Sequence, residues 1–326
     1  MSAADSREMR VAVVGATGTV GSQIADLIGA RDFPYAELKL FGSEAGTTSE
    51  GVESGGRTLS VARLGSPADL APFDLALLAI PADDARGIIE AKPGPICIDL
   101  SAARRAPEPS APMVAPGLTP RERLIEMKGN RTFTVPDPAA QTIAMLLKAI
   151  DLRAGFAGAA VMIAASGDGR EAVSELFNQS ADLLNARLDI GEEETQRAFN
   201  VFQPANESEA GNVIAAQVAA LVPAAPPILV EVVRAPAFHG SGIALFISAG
   251  AGEATEWAAR LRAAPGVIML EGTEVSSFVD AVGQEAVLVR MSLNRTGARL
   301  WAVFDGPRLA ALSAIWIAET LAFAAS

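Results

Sequence analysis

Residues 11–28, VAVVGATGTVGSQIADLI, constrain the fold of this chain more than any other stretch. Val11-Ala12-Val13-Val14 is an unbroken apolar run, the pattern of a strand buried on both faces. Gly15, Gly18 and Gly21 follow at three-residue spacing, and Val20, Ile24, Leu27 and Ile28 then recur at helical period. Strand, glycine turn and helix in this order open a dinucleotide-binding βαβ unit. Glycines let the backbone turn tightly and approach a pyrophosphate, and the free N–H groups at the start of the next helix attract the anion.

The 326 residues are enough for two domains with a sizeable core. Half of them are hydrophobic but only 5% are aromatic, so Ala, Val, Leu and Ile must build the interior. A net charge of −12 argues against a nucleic-acid or anionic-membrane partner, since either needs a basic surface. The single cysteine, Cys97, rules out an internal disulfide framework and any multi-thiolate metal site. With one histidine, His239, a histidine-based metal site is not expected either. The first residues lack the apolar core of a signal peptide, and no apolar run is long enough to span a membrane. The expectation is a soluble, cytoplasmic protein.

Further strands are read at 38–41, 59–64, 74–80, 96–100 and 132–135, with a helix at 82–90 and a Gly/Ser/Thr-rich loop at 42–56. Strands alternating with helices imply a parallel, doubly wound sheet. Pro107 to Pro120 reads as an extended connection, and Pro136-Asp137-Pro138 breaks the chain before a helix from about Gln141. The second half reads as strand 158–165, helix 170–188, strands 228–234 and 243–248, helix 254–263 and a short strand at 267–270. Strands 286–291 and 299–304 are placed as a hairpin across Asn294–Gly297, and a helix at 309–322 closes the chain and returns to the first domain. Few parallel crossovers here imply a mixed or antiparallel sheet faced by helices.

The order of motifs resembles the aspartate-semialdehyde dehydrogenase family over nearly the full length. The matching pieces are VAVVGATGTVG, RDFP at 31–34, IDLSAARR at 99–105, DPAAQTIAML at 137–146, SGDGREA at 166–172, AFNV at 198–201, RAPAF at 234–238 and LWAVFD at 300–305. The resemblance implies an N-terminal Rossmann NAD(P)-binding domain and a C-terminal α/β dimerisation domain. The expected boundaries are 1–136, completed by 308–326, and 137–307. It also implies a homodimer, and a reaction in which NADPH reduces an aspartyl phosphate through a cysteine thioester.

The catalytic positions of that family are not matched. Its Asn-Pro-Asn-Cys-Ser-Thr motif reads Asp137-Pro138-Ala139-Ala140-Gln141-Thr142, so Ala140 stands at the nucleophile position. A helix N-terminus is a sensible place for a thiolate, because the dipole lowers its pKa, but a methyl group forms no acyl-enzyme. Ser241 stands at the acid/base histidine and Ile163 at the orienting glutamine. The Lys/Glu-rich phosphate helix is replaced by a small, apolar stretch at 205–221. No catalytic residue is therefore assigned.

Arg105 aligns with the family's phosphate-binding arginine and Arg234 with its carboxylate-binding one; each is read either as an anion ligand or as the partner of a local carboxylate. For the cofactor, NADP or NAD, the resemblance implies Gly15, Thr17, Gly18, Thr19, Val20, Ser43, Ser166 and Gly167. Glu44, beside Ser43, favours the free ribose hydroxyl of NAD. Ile80-Pro81 replaces the usual Gly-Gly, and Asp305 replaces an asparagine near the nicotinamide, so the site is weakened at that end. Cys97 reads as a buried core residue, and Thr142 and Ser241 as cap or turn hydroxyls. Asp168 and Glu171 read as carboxylates favouring a helix start. Three functions remain open: an inactive paralogue of the Usg type holding a nucleotide or small anion, an NAD(P)-dependent oxidoreductase working without a thioester, and a dimeric interaction module.

Overall fold

The computed structural model describes residues 8–31, 33–42, 51–101, 107, 110–187, 195–204, 207–248, 253–272 and 276–324. Its elements run β1 (Met9–Val14), α1 (Thr19–Ala30), β2 (Tyr35–Gly42), β3 (Val52–Ser54), β4 (Arg57–Leu59), β5 (Val61–Arg63), β6 (Leu75–Leu78), α2 (Ala82–Glu90), β7 (Ile96–Asp99), α3 (Arg121–Glu126), β8 (Thr132–Thr134) and α4 (Pro138–Ile150). They continue with β9 (Ala157–Ile163), α5 (Arg170–Leu184), α6 (Glu207–Leu221), β10 (Ile228–Arg234), β11 (Ser241–Ser248), α7 (Glu253–Ala263), β12 (Val267–Met269), α8 (Phe278–Ala281), β13 (Val287–Asn294), β14 (Gly297–Phe304) and α9 (Gly306–Ala324). Two units divide the chain: Met1–Gln141 with Ala310–Ser326, and Thr142–Leu309.

The first unit holds a six-stranded sheet in the order β5-β2-β1-β6-β7-β8. Every pairing in it is parallel. This is the doubly wound order, with the switch point between β1 and β6. β1 shows why its apolar run is unbroken. Val11 and Val13 face a core of Ile24, Ile28, Leu75, Ile98 and, from α9, Ala311, Ala314 and Ile315. Ala12 and Val14 face a second cluster with Phe41, Phe73, Ile88 and Cys97. Each buried aliphatic side chain here contributes about 1.5–3 kcal/mol relative to exposure. The closing helix thus joins the first unit from Ala310 onward.

The segment 51–56 read as loop carries strand β3, which pairs antiparallel with β4. The pairing is anchored by Ser54, whose Oγ donates to the Ala25 carbonyl at 2.7 Å, a contact invisible to local periodicity. α4 starts at Pro138, three residues before the expected Gln141, because proline suits the first helical position and Asp137 caps it. α3 lies just beyond the stretch read as an extended connection, and α5 ends at Leu184.

The second unit is built on a mixed six-stranded sheet, β10-β9-β11-β14-β13-β12. β9 with β10 and β12 with β13 are parallel, and the remaining pairs are antiparallel. β13 and β14 form the expected hairpin, closed by Asn294, whose Oδ1 accepts from the N–H groups of Thr296 and Gly297 at 2.9 Å. Rows across the sheet alternate faces. The row Val232–Val161–Ile243–Ala302–Val289 is fully buried. The row Leu229–Gly158–Phe246–Arg299 lies on the opposite face, where Leu229 is 70% and Phe246 46% exposed.

Candidate functional site

In the first unit, the glycine turn lies at the carboxyl end of β1, beside the switch point. Gly15 has φ +84°, and both its N–H and that of Ala16 donate to the Phe41 carbonyl, at 2.9 and 3.0 Å. A side chain on Gly15 would collide with the Ala79 carbonyl, and one on Gly21 with the Gly15 carbonyl, so both contacts demand glycine. Gly18 is the N-cap of α1 and offers no side-chain cap, which leaves the first-turn N–H groups facing outward from Thr19 and Val20. Thr17, Thr19 and Val20 are all half-buried along this turn. The glycine cradle and uncapped helix start fit a pyrophosphate.

The other side of the switch point is more crowded. Ile80 follows β6, and its Cγ2 comes within 2.8 Å of where a Gly15 Cβ would stand. Pro81 is the N-cap of α2 and has no N–H to offer a phosphate. Ser43, Glu44 and Arg105 lie outside the described residues.

At the start of α4, Asp137 accepts the Ala139 N–H on Oδ1 at 2.7 Å and the Gln141 N–H on its carbonyl at 2.8 Å. Ala140, in the first turn of α4, is completely buried. The Ser313 hydroxyl of α9 donates to Gln141 Oε1 at 2.9 Å. Thr142 does not cap the helix: its buried hydroxyl finds no hydrogen-bond partner among the described residues, because Asp137 already does the capping.

In the second unit, three positions singled out in the sequence fall into one row. Ile163 at the end of β9 pairs with Arg234 of β10 on one side and Ser241 of β11 on the other, and Phe304 of β14 follows Ser241. Cross-strand partners share a face about 5 Å apart. The row thus offers a guanidinium, a branched alkyl group, a hydroxyl and a phenyl ring. Ile163 packs over Gly167, and the turn Ala165–Gly167 is held by Ala165 N–H to Ala237 O at 2.9 Å and Ser166 N–H to Phe238 O at 3.0 Å. Ser241 opens β11, buried, as a strand residue rather than a turn residue. His239 is exposed in the preceding loop.

Arg234 does not project freely from this row. Its Nε donates to both oxygens of Asp168, at 3.0 and 2.9 Å, and its Nη2 lies 2.8 Å from Oδ1. Arg197 reaches the same carboxylate with Nη1 at 3.0 Å, and its Nε donates to Glu175 at 2.7 Å. Arg234 and Asp168 are each 14% exposed. Burial opposes the charge on Asp168, but hydrogen bonds and charge from Arg234, then Arg197, prevail and hold its carboxyl below the ordinary range. Local patterning points Asp168 to a helix start and does not point to Arg197; the carboxylate inside the SGDG loop is the available signal.

Cys97 is 2% exposed in β7, and burial, opposed by Arg131, pushes its thiol up to about 11. It is an inert core residue. Asp305 is also committed: Oδ1 accepts from Arg308 N–H at 3.1 Å and Oδ2 from Gly283 N–H at 2.9 Å, which caps α9. Among the described residues no cluster of His, Cys, Asp and Glu could hold a metal, and no helix is long and apolar enough to cross a membrane.

Residues 10–125 match the semialdehyde dehydrogenase NAD binding domain. A USG-1 protein homolog of Pseudomonas aeruginosa is 32% identical, the alignment covering 97% of this chain and 98% of that protein. The aspartate-semialdehyde dehydrogenase of Synechocystis is 31% identical, covering 96% and 97%. The chain belongs to the aspartate-semialdehyde dehydrogenase family. Its fold is that of the family: the solved structure of a probable aspartate-semialdehyde dehydrogenase from Pseudomonas aeruginosa matches with a TM-score of 0.84 at 29% identity, covering 96% of this chain and 98% of that one. Aspartate semialdehyde dehydrogenase II from Vibrio cholerae, solved in complex with ASA, matches at 0.82 and 26% identity, covering 97% and 98%. The NAD(P)-binding assignment of the first unit rests on the matched domain and the glycine turn together. USG-1 homologues and dehydrogenases of this family stand at nearly the same identity, so overall similarity does not separate them. Individual residues must.

Proposed function

We propose that this chain is a catalytically silent member of the family, which retains an NAD(P) or nucleotide site in its first unit and works as a homodimer. The observation that carries the reading is Ala140, a fully buried methyl group at the first turn of α4. No acyl intermediate forms on a methyl group. The row Arg234–Ile163–Ser241 supports it, since it presents no general base and its arginine is bonded to Asp168. The Asp137 carboxylate at the same helix start would disfavour a neighbouring thiolate even if cysteine were restored. The crowding by Ile80 and Pro81 supports a weakened nicotinamide end. We take the domains as 1–136 with 308–326 and 137–307, and place the protein in the cytoplasm.

The dimer reading draws on the open face of the second sheet. Leu229, Phe246 and Phe156 are exposed there, and the Phe156 ring lies over Gly158. A two-fold axis would pair this patch with itself. Light scattering tests it: Phe246→Asp should turn a dimer into a monomer, and a monomeric parent rejects the reading. Turnover is tested with aspartate semialdehyde, phosphate and NADP, where no rate above buffer is expected. A phosphate-independent oxidation would instead favour an oxidoreductase without a thioester.

A further inference from the structure

We propose that Asp168 is a resident ligand: the chain's own carboxylate fills an anion site formed by Arg234 and Arg197, and so excludes carboxylates from this end of the second sheet. Two guanidinium groups converge on one carboxylate. Arg234 spans both oxygens through Nε and Nη2, and Arg197 adds Nη1 on Oδ2 at 3.0 Å. Planar forks closing on a carboxylate are how proteins capture carboxylate ligands. Here the ligand arrives from the turn before α5, covalently attached and at an effective concentration that a dissolved anion does not match.

The residues that form the site come from separate elements. Arg234 ends β10, Asp168 follows the turn Ala165–Gly167, and Arg197 lies beyond α5. Glu175 takes the Nε of Arg197, which balances the two cations with two anions. These four groups sum to no net charge, and Asp168 occupies the edges of both guanidinium groups that an incoming carboxylate would use. A ligand reaching the Ile163–Ser241 row is selected for the absence of a carboxylate. A chain catalysing a reaction on an uncharged substrate would carry the same internal ligand, and anion binding reads its presence without any turnover.

Acetate has the shape of the side chain excised in Asp168→Gly, and formate that of the carboxylate excised in Asp168→Ala; these are the probes. Thermal unfolding is followed against acetate and formate at constant ionic strength, with chloride as the control, for the full-length parent, Asp168→Gly, Asp168→Ala and Asp168→Asn. The backbone at 168 has φ −91° and ψ −4°, which alanine adopts freely, so the alanine variant serves if the glycine variant does not fold. Asp168→Gly should show saturable stabilisation by acetate, and Asp168→Ala, which keeps Cβ, by formate, each with an apparent Kd at least about tenfold below that of the parent for the same anion. Asp168→Asn leaves no room for acetate and should respond as the parent does. Adding Arg234→Gln to either rescued variant should abolish the response. The proposal is overturned if acetate on Asp168→Gly and formate on Asp168→Ala act like chloride, if the asparagine variant is rescued equally, or if the parent binds acetate as tightly as Asp168→Gly. A purely structural ion network gives the first of these outcomes.

Discussion

The carboxyl end of β1 and the end of β9 build their candidate sites from different parts of the chain. At the first, a positive φ at Gly15 and close contacts at Gly15 and Gly21 preserve a turn that only glycine permits. At the second, Ile163, Arg234 and Ser241 share one register across three strands, and side chains carry whatever chemistry the row has. The backbone scaffold is retained in both. Only in the first do the functional groups belong to the backbone itself, so retaining the fold retains the site. In the second they belong to side chains, which can change while the strand pairing stays the same.

Several substitutions would sharpen or break this contrast. Gly15→Val carries the largest effect: the side chain strikes the Ala79 carbonyl at φ +84°, and a loss of about 2–4 kcal/mol with abolished NAD(P) binding is expected in denaturation and calorimetry. Asp168→Asn should cost about 1–2 kcal/mol near neutral pH, because it leaves two partly buried guanidinium groups short of charge. The sign of its pH dependence follows from a lowered folded-state pKa: the contribution is present above the unfolded value of about 3.9 and is lost as pH falls through the folded value. The gap between parent and variant should therefore close below about pH 4 in acid unfolding curves. If the gap persists there, the ion pair is not its source.

Ile80→Gly relieves the crowding over the glycine turn and should tighten NAD(P)H binding by roughly threefold to tenfold in calorimetry, whereas unchanged affinity would mean that Ile80 does not weaken the site. The smallest effect is expected at Glu319 of α9. Burial, opposed by Arg31 and Arg121, raises its pKa, so its ionisation opposes folding and stability falls as pH rises above the usual glutamate range. Glu319→Gln should raise Tm by about 1–3 °C at pH 7 and by nothing at pH 4.

Legibility in the sequence followed the same division. β1 announced itself because burial on both faces leaves no polar residue in Val11–Val14, and the β13–β14 hairpin because Asn294 and Gly297 carry its turn chemistry. Ala140 and Ser241 draw attention in the sequence only through the family resemblance, since local patterning marks neither an alanine nor a serine. The Arg234–Asp168–Arg197 cluster was not, since its members are 66 and 29 positions apart and only the sheet and the turn before α5 unite them. Strand β3 escaped for a related reason: Ser54 finds its partner, Ala25, in another element.

The central claim is that the first unit still offers a nucleotide site while the chemistry of the second has gone. It is tested most directly by incubating the unmodified chain with aspartate semialdehyde, phosphate and NADP and following reduced nicotinamide by absorbance. The account predicts a rate equal to that of buffer at every substrate concentration. A phosphate-dependent rate that saturates with semialdehyde would contradict it.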